Sequence, residues 1–151
     1  MKTTGLDFAA ITEQDIDSVL EIEQQSFESP WSRISFLEEL SCKNFLSFGA
    51  RFSSGCRSLN QIIAYICFRL IADELHIMRI AVALQWQCHG LGSRILEKSL
   101  SIGLEKGAVS SFLEVSSSNH KAIKIYSKFG FQVVGKRKGY YQGTGKMRWC
   151  L

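Results

Sequence analysis

Residues 75–104 place the tightest constraint on how this chain can fold. Leu75 to Val82 is strongly apolar and short enough for a strand. After a loop ending in Gly90-Leu91-Gly92-Ser93, apolar residues return at helical spacing: Leu91, Ile95, Leu96, Leu100 and Leu104. A strand, a loop with two glycines and a helix, in that order, bring the helix's unpaired N–H groups and positive dipole end beside backbone that a ligand can approach closely. Such a junction suits a phosphate. It is not a Walker A loop, because no Gly-Lys-Ser/Thr follows, nor a dinucleotide fingerprint, because the third glycine is missing. A plain tight turn fits the same two glycines.

The segments around this junction read as a mixed α/β chain. Leu6 to Ala10 predicts a short edge strand. Thr12 can cap a helix, with Asp15 three residues on as its capping-box partner. Ile16, Val19, Leu20, Glu23 and Phe27 then trace one helical face, apolar apart from Glu23, and Pro30 is expected to stop that helix. Ser32 can cap a second helix carrying Phe36, Leu37 and Leu40. Leu46, Phe48, Ala50 and Phe52 alternate as in a strand with one buried face. Residues 53–60 predict an exposed, mobile hairpin loop. Gln61 to Leu70 is apolar on both faces and predicts a central strand, followed by the turn Ala72-Asp73 and a strand over Glu74 to Val82. These three strands are expected to be antiparallel, since their connections are too short for a crossover. Gly103 and Gly107 weaken and end the helix after the glycine loop. Val109 to Val115 is then expected parallel to the strand before that helix. Asn119 or Ser118 can cap a helix with Ala122, Tyr126 and Phe129 at core positions. Gly130 is placed for a left-handed C-cap, with Phe131 as its apolar partner. Phe131 to Gly135 and Met147 to Leu151 predict the last strands, joined by a loop over Tyr140 to Gly145.

With 151 residues, 46% of them hydrophobic, and no linker or repeat, one domain over residues 1–151 is expected. No apolar run is long enough to span a bilayer, and the first residues lack a signal core, so a cytoplasmic protein is expected. The five cysteines are odd in number and form no Cys-x-x-Cys pair, which argues against a disulfide framework or a zinc site, and no metal is expected. The net charge of +4 favours an anionic cofactor or a partner near nucleic acid; the one basic cluster, Lys136-Arg137-Lys138, comes without a nucleic-acid motif and reads as a solvated surface.

Three blocks resemble the GCN5-related N-acetyltransferases. Gln87-Cys88-His89-Gly90-Leu91-Gly92 is similar to that family's Gln/Arg-x-x-Gly-x-Gly/Ala loop. Ser26-Phe27-Glu28-Ser29-Pro30-Trp31-Ser32 resembles the Phe-x-x-Pro-Trp-Ser signature of its bacterial ribosomal-protein alanine branch. Leu113-Glu114-Val115, Asn119, Ala122-Ile123, Tyr126 and Phe129-Gly130-Phe131 are similar to the family's second half. The blocks stand in the family's order and cover nearly the whole chain.

The resemblance implies a twisted, mostly antiparallel sheet of six or seven strands with helices on both faces. It implies acetyl transfer from acetyl-coenzyme A to an amine, most specifically the N-terminal alanine of a ribosomal protein, with no direct nucleic-acid or membrane partner, by a monomer or a dimer. By similarity, Glu114 is the proton acceptor and Tyr126 the acid that protonates the departing thiolate. The backbone of Ile80, Ala81 and Val82 pairs with the pantetheine arm, Cys88, His89, Gly90, Leu91, Gly92 and Ser93 hold the pyrophosphate, and Asn119 contacts the coenzyme. Trp31, Arg79 and Tyr140 are implied to line the acceptor groove. The chain departs from the family pattern at Ala83-Leu84 and Cys88, which bear on coenzyme affinity. It departs also at Arg79 and at Gly143 to Met147, which bear on the acceptor. A small amine, a polyamine or a lysine side chain is the alternative acceptor, and a non-catalytic acyl-coenzyme A binder the alternative class.

Overall fold

The computed structural model describes residues 5–52, 61–137 and 144–150. In chain order the elements are β1 (Leu6–Ala10), α1 (Ile16–Ser26), α2 (Arg33–Leu40), β2 (Phe45–Phe52), β3 (Ala64–Ile71), β4 (Glu74–Val82), α3 (Leu91–Glu105), β5 (Ser110–Ser116), α4 (His120–Lys128), β6 (Gln132–Arg137) and β7 (Thr144–Cys150). The strands form one seven-stranded sheet in the order β1-β2-β3-β4-β5-β7-β6. Every neighbouring pair is antiparallel except β4–β5, which α3 connects. The expected sheet, mostly antiparallel and with helices on both faces, is the one found.

Side-chain alternation builds two apolar layers. On one face Phe48, Ala50, Ile66, Phe68, Leu75, Ile77, Leu113 and Val115 meet Leu91, Ile95, Leu96 and Leu100 of α3 and Tyr126 of α4. On the other face Phe45, Tyr65, Cys67 and Ala81 meet Ile16, Val19 and Ile22 of α1 and Phe36 of α2. β3 serves both layers, as its two-sided apolar sequence requires. Local signals bound the helices as read, except that the Thr12–Asp15 box caps a short 3-10 turn over Glu13–Asp15 that leads into α1. Ser32 Oγ accepts from the Ser35 N–H at 3.1 Å, Asp15 Oδ2 accepts from the Thr12 N–H at 2.9 Å, and Gly130 takes φ +92 after α4. Cys42, Cys67 and Cys88 carry free thiols. Among the described residues no helix is long and apolar enough to cross a membrane.

Some boundaries differ from the sequence reading. α1 ends at Ser26, before Pro30 can act. Phe27 is already extended (φ −128°, ψ 140°), and its ring leaves the helix to lie under the Arg79 guanidinium. β3 begins at Ala64; Ile62 and Ile63 are buried ahead of it, with the Ile63 N–H donating to the Ala50 carbonyl at 2.9 Å. α3 runs through Gly103 without a break, because the missing side chain lets the helix sit against Leu75. A Cβ there would lie 2.9 Å from Leu75 Cδ2. β7 starts at Thr144, three residues earlier than read, because it pairs along the whole of β5 and along β6. The hairpin loop at 53–60 and Tyr140 lie outside the described residues.

Candidate active site

β4 and β5 pair from Glu74↔Ser110 to Ile77↔Leu113 and then part. Beyond that point β4 stays on β3, with Arg79 to Val82 opposite Cys67 to Ala64, while β5 stays on β7 through Ser116. The cause is a bulge. Cys67 pairs with Arg79 and Phe68 with Ile77, so Met78 is an extra residue in β4. An extra residue bends its strand and adds twist. It also reverses the alternation. Leu75 and Ile77 face α3 before the bulge, and Ile80 and Val82 do so after it, whereas Met78 and Ala81 join the layer under α1 and α2.

The gap therefore opens on two chemically different faces. On the α3/α4 face lies Tyr126, buried and with its ring centroid 5.9 Å from that of Phe131. No hydrogen bond to its hydroxyl is recorded among the described residues, and burial pushes its pKa up to about 12. Glu114 stands between buried Leu113 and Val115 and is exposed. Alternation puts it on the opposite face, which Phe112 confirms by stacking on His76 with centroids 5.5 Å apart. That face also holds Arg79 and Trp31. The reading thus finds its proposed acid and base on opposite sides of one opening.

The glycine loop caps the α3/α4 side. A 3-10 turn over Leu84–Trp86 leads to Gln87, whose side-chain amide donates to the Val82 carbonyl at 3.1 Å. His89 Nδ1 lies 2.7 Å from the Gln87 carbonyl. Cys88 (φ +63) and Gly90 (φ +80) are both left-handed, and Gly90 is the N-cap of α3. Left-handed residues interleaved in this way turn successive N–H groups into a concave anion nest. Helix geometry leaves the N–H groups of Leu91, Gly92 and Ser93 without intrahelical acceptors, and a Cβ at Gly90 would meet nothing within 4 Å. Open space, unpaired donors and a dipole end fit a pyrophosphate. The edge of Ile80, Ala81 and Val82 that faces the gap has no registered β5 partner. Asn119 Oδ1 is engaged as the cap of α4, accepting from the Ala122 N–H at 3.2 Å.

On the α1/α2 side Trp31 packs edge-on to Phe36 with centroids 5.1 Å apart. Arg79, read only as a groove residue, proves to be paired. Its Nε lies 3.0 Å from Oε1 of Glu23, which is fully buried on α1. Tyr65 donates its hydroxyl hydrogen to Glu23 Oε2, and burial beside Glu23 holds that proton well above the ordinary phenol range. Sequence reasoning missed this cluster. Its signal was present: a lone carboxylate on the buried face of α1 needs a partner, and Arg79 is a cation in an otherwise apolar stretch of β4.

Comparisons with known proteins agree with this geometry. The model of the acetyltransferase (GNAT) family matches residues 16–131. A Bacillus subtilis (strain 168) protein, provisionally named ribosomal protein bS18-alanine N-acetyltransferase, is 34% identical over 133 residues, which are 88% of this chain and 85% of that protein. The crystal structure of the ribosomal-protein-S18-alanine N-acetyltransferase from Escherichia coli superposes with a TM-score of 0.84 at 24% identity, covering 96% of this chain and 93% of the other. Arabidopsis thaliana NAA60 in complex with acetyl-CoA gives a TM-score of 0.85 at 14% identity, covering 97% and 98%. A family match over most of the sequence, a split sheet and a phosphate-ready glycine loop lead to one conclusion: the chain belongs to the GNAT acetyltransferase family.

Proposed function

We propose that this protein transfers acetyl from acetyl-coenzyme A to the N-terminal alanine α-amine of a ribosomal protein of the bS18 type, in the cytoplasm. The observation that carries the reading is the gap between β4 and β5, open to a glycine-loop anion nest and Tyr126 on one face and to Glu114 and Trp31 on the other. The names of the relatives supply the acceptor.

Acetyl-coenzyme A supplies an acetyl thioester, whose carbon is attacked by the amine and whose sulfur departs. Backbone N–H groups from Cys88 to Ser93 bind its pyrophosphate, and the free edge of Ile80, Ala81 and Val82 orients its amide-bearing arm. Asn119, through the amide hydrogens its capping role leaves over, adds a contact. An α-amine near neutral pH is largely protonated. Glu114, on the acceptor face, takes the proton that makes the amine nucleophilic. Tyr126, on the opposite face, keeps its proton at Oη with a pKa raised to about 12, and gives it to the departing sulfur. Trp31 and Arg79 wall the acceptor entrance, with Tyr140 assigned there by resemblance.

The test is free-thiol release from acetyl-coenzyme A with alanine-starting peptides, beside a panel of small amines and lysine peptides. Turnover with the alanine peptide, and mass spectrometry placing the acetyl on its α-amine, is expected. Glu114→Gln is expected to lower kcat ~10²–10⁴-fold while coenzyme binding stays within about twofold. Turnover with small amines alone would replace the acceptor, and binding without turnover on any amine would replace the enzyme by an acyl-coenzyme A binder.

A further inference from the structure

One guanidinium holds the turn between α1 and α2. Arg79 Nη2 donates to the Ser29 carbonyl at 3.1 Å, and its Cζ lies 4.3 Å from the Phe27 ring centroid and 5.0 Å from that of Trp31. Its partner Glu23 reaches the same turn, accepting from the Trp31 N–H at 3.0 Å through Oε1. The hydrogen bonds recorded for Ser29 and Trp31 both run to this pair. Glu23 is fully buried and is enclosed by Arg79, Tyr65 and the Trp31 N–H. Its charge offsets that of Arg79, so the turn presents aromatic faces over a neutral pair. Arg79 also immediately precedes Ile80, Ala81 and Val82 on β4. The side chain that fixes the turn therefore hangs from the strand assigned to the coenzyme.

We propose that Arg79 is a positioning residue that, with Glu23, sets the place of the Phe27–Trp31 wall relative to β4, and so governs acceptor binding more than coenzyme binding. This rests on the reading that the acceptor enters on the α1/α2 face. The pair replaces a flexible turn by a preorganised one, which lowers the ordering cost of binding a peptide end.

Steady-state kinetics of the full chain and of two variants tests it, with hydrogen–deuterium exchange of the peptide covering residues 27–32 as a readout independent of activity. The double variant Glu23→Gln/Arg79→Met removes both charges together and avoids leaving one buried alone. It is expected to raise the KM for the alanine-starting peptide about tenfold or more, to leave that for acetyl-coenzyme A within about twofold, and to speed exchange in the turn. Arg79→Lys is expected to fall between wild type and the double variant. Lysine keeps a charge for Glu23 but loses the planar fork that also reaches Ser29 and lies against two rings. An unchanged peptide KM in a folded variant, or equal rises in both KM values, would overturn the proposal. Should the wild type turn over no amine, the acyl-transfer reading falls and exchange alone decides the tie: acceleration confined to residues 27–32 keeps it, and unchanged or chain-wide exchange removes it.

Discussion

Tyr126 carries a prediction that follows from burial alone. Its pKa is raised from 10.0 to about 12 by desolvation, so between those values the folded chain binds a proton that the unfolded chain has lost. Stability from this residue is complete below about pH 10 and is lost as pH rises through about 12, to a total of about 3 kcal/mol. Denaturant unfolding of wild type and Tyr126→Phe across that range should show the wild type losing stability faster. The two glycines of the loop separate in the same residue-by-residue way. Gly90 sits at φ +80, so Gly90→Ala strains the backbone and is expected to weaken acetyl-coenzyme A binding several-fold by calorimetry. Gly92 has no such dihedral, and a Cβ there would meet Ile125 Cδ1 at 3.8 Å and Val82 Cγ2 at 3.9 Å, ordinary contacts; Gly92→Ala should bind nearly as wild type. The sequence showed both glycines as one motif. Only the dihedral, which depends on how the loop closes after the 3-10 turn, distinguishes them.

Among the elements, α3 combines a poor intrinsic choice with a packing need. Gly103 costs the helix about 1 kcal/mol relative to alanine, yet a methyl there would press on buried Leu75 at 2.9 Å. Overpacking of this kind typically costs about 1–3 kcal/mol, so Gly103→Ala is expected to lower Tm despite its better helix propensity. Thermal unfolding followed by circular dichroism decides the sign. Elements were legible where their signals are local: the Thr12–Asp15 box, the Ser32 cap, the Gly130-Phe131 stop and the helical spacing of α3. The end of α1 was misread because tertiary contact to Arg79, not Pro30, draws Phe27 out of the helix. The bulge at Met78 was illegible for the same reason. Nothing within Leu75 to Val82 marks an extra residue; it exists only in the register against β3.

At the scale of the whole molecule, the two parts of the sheet are joined at β4–β5 by four residue pairs, Glu74–Ile77 with Ser110–Leu113, and above them by a gap. A ligand that binds across this opening in the folded chain alone adds to its stability. At about one hundred times its Kd, acetyl-coenzyme A is expected to add about 2.7 kcal/mol, measured as a shift in the unfolding midpoint; a missing shift at saturating concentrations would contradict binding in the gap. The residues proposed for the site were named from the sequence, but the two faces on which they stand were not, because assigning faces requires the register. Met78 also has a consequence for descent. The phase slip it introduces divides β4 into two reading frames of side chains, so deleting its codon would restore an unbroken alternation, with Leu75, Ile77, Ile80 and Val82 still toward α3 and Arg79 and Ala81 still opposite, and would remove only the extra residue that bends the strand. Arg79 and Trp31 stand together on the α1/α2 face, whereas Ile80 and Val82 face α3. A lineage with this sheet can therefore alter the side chains of one face one replacement at a time while the other face is inherited intact.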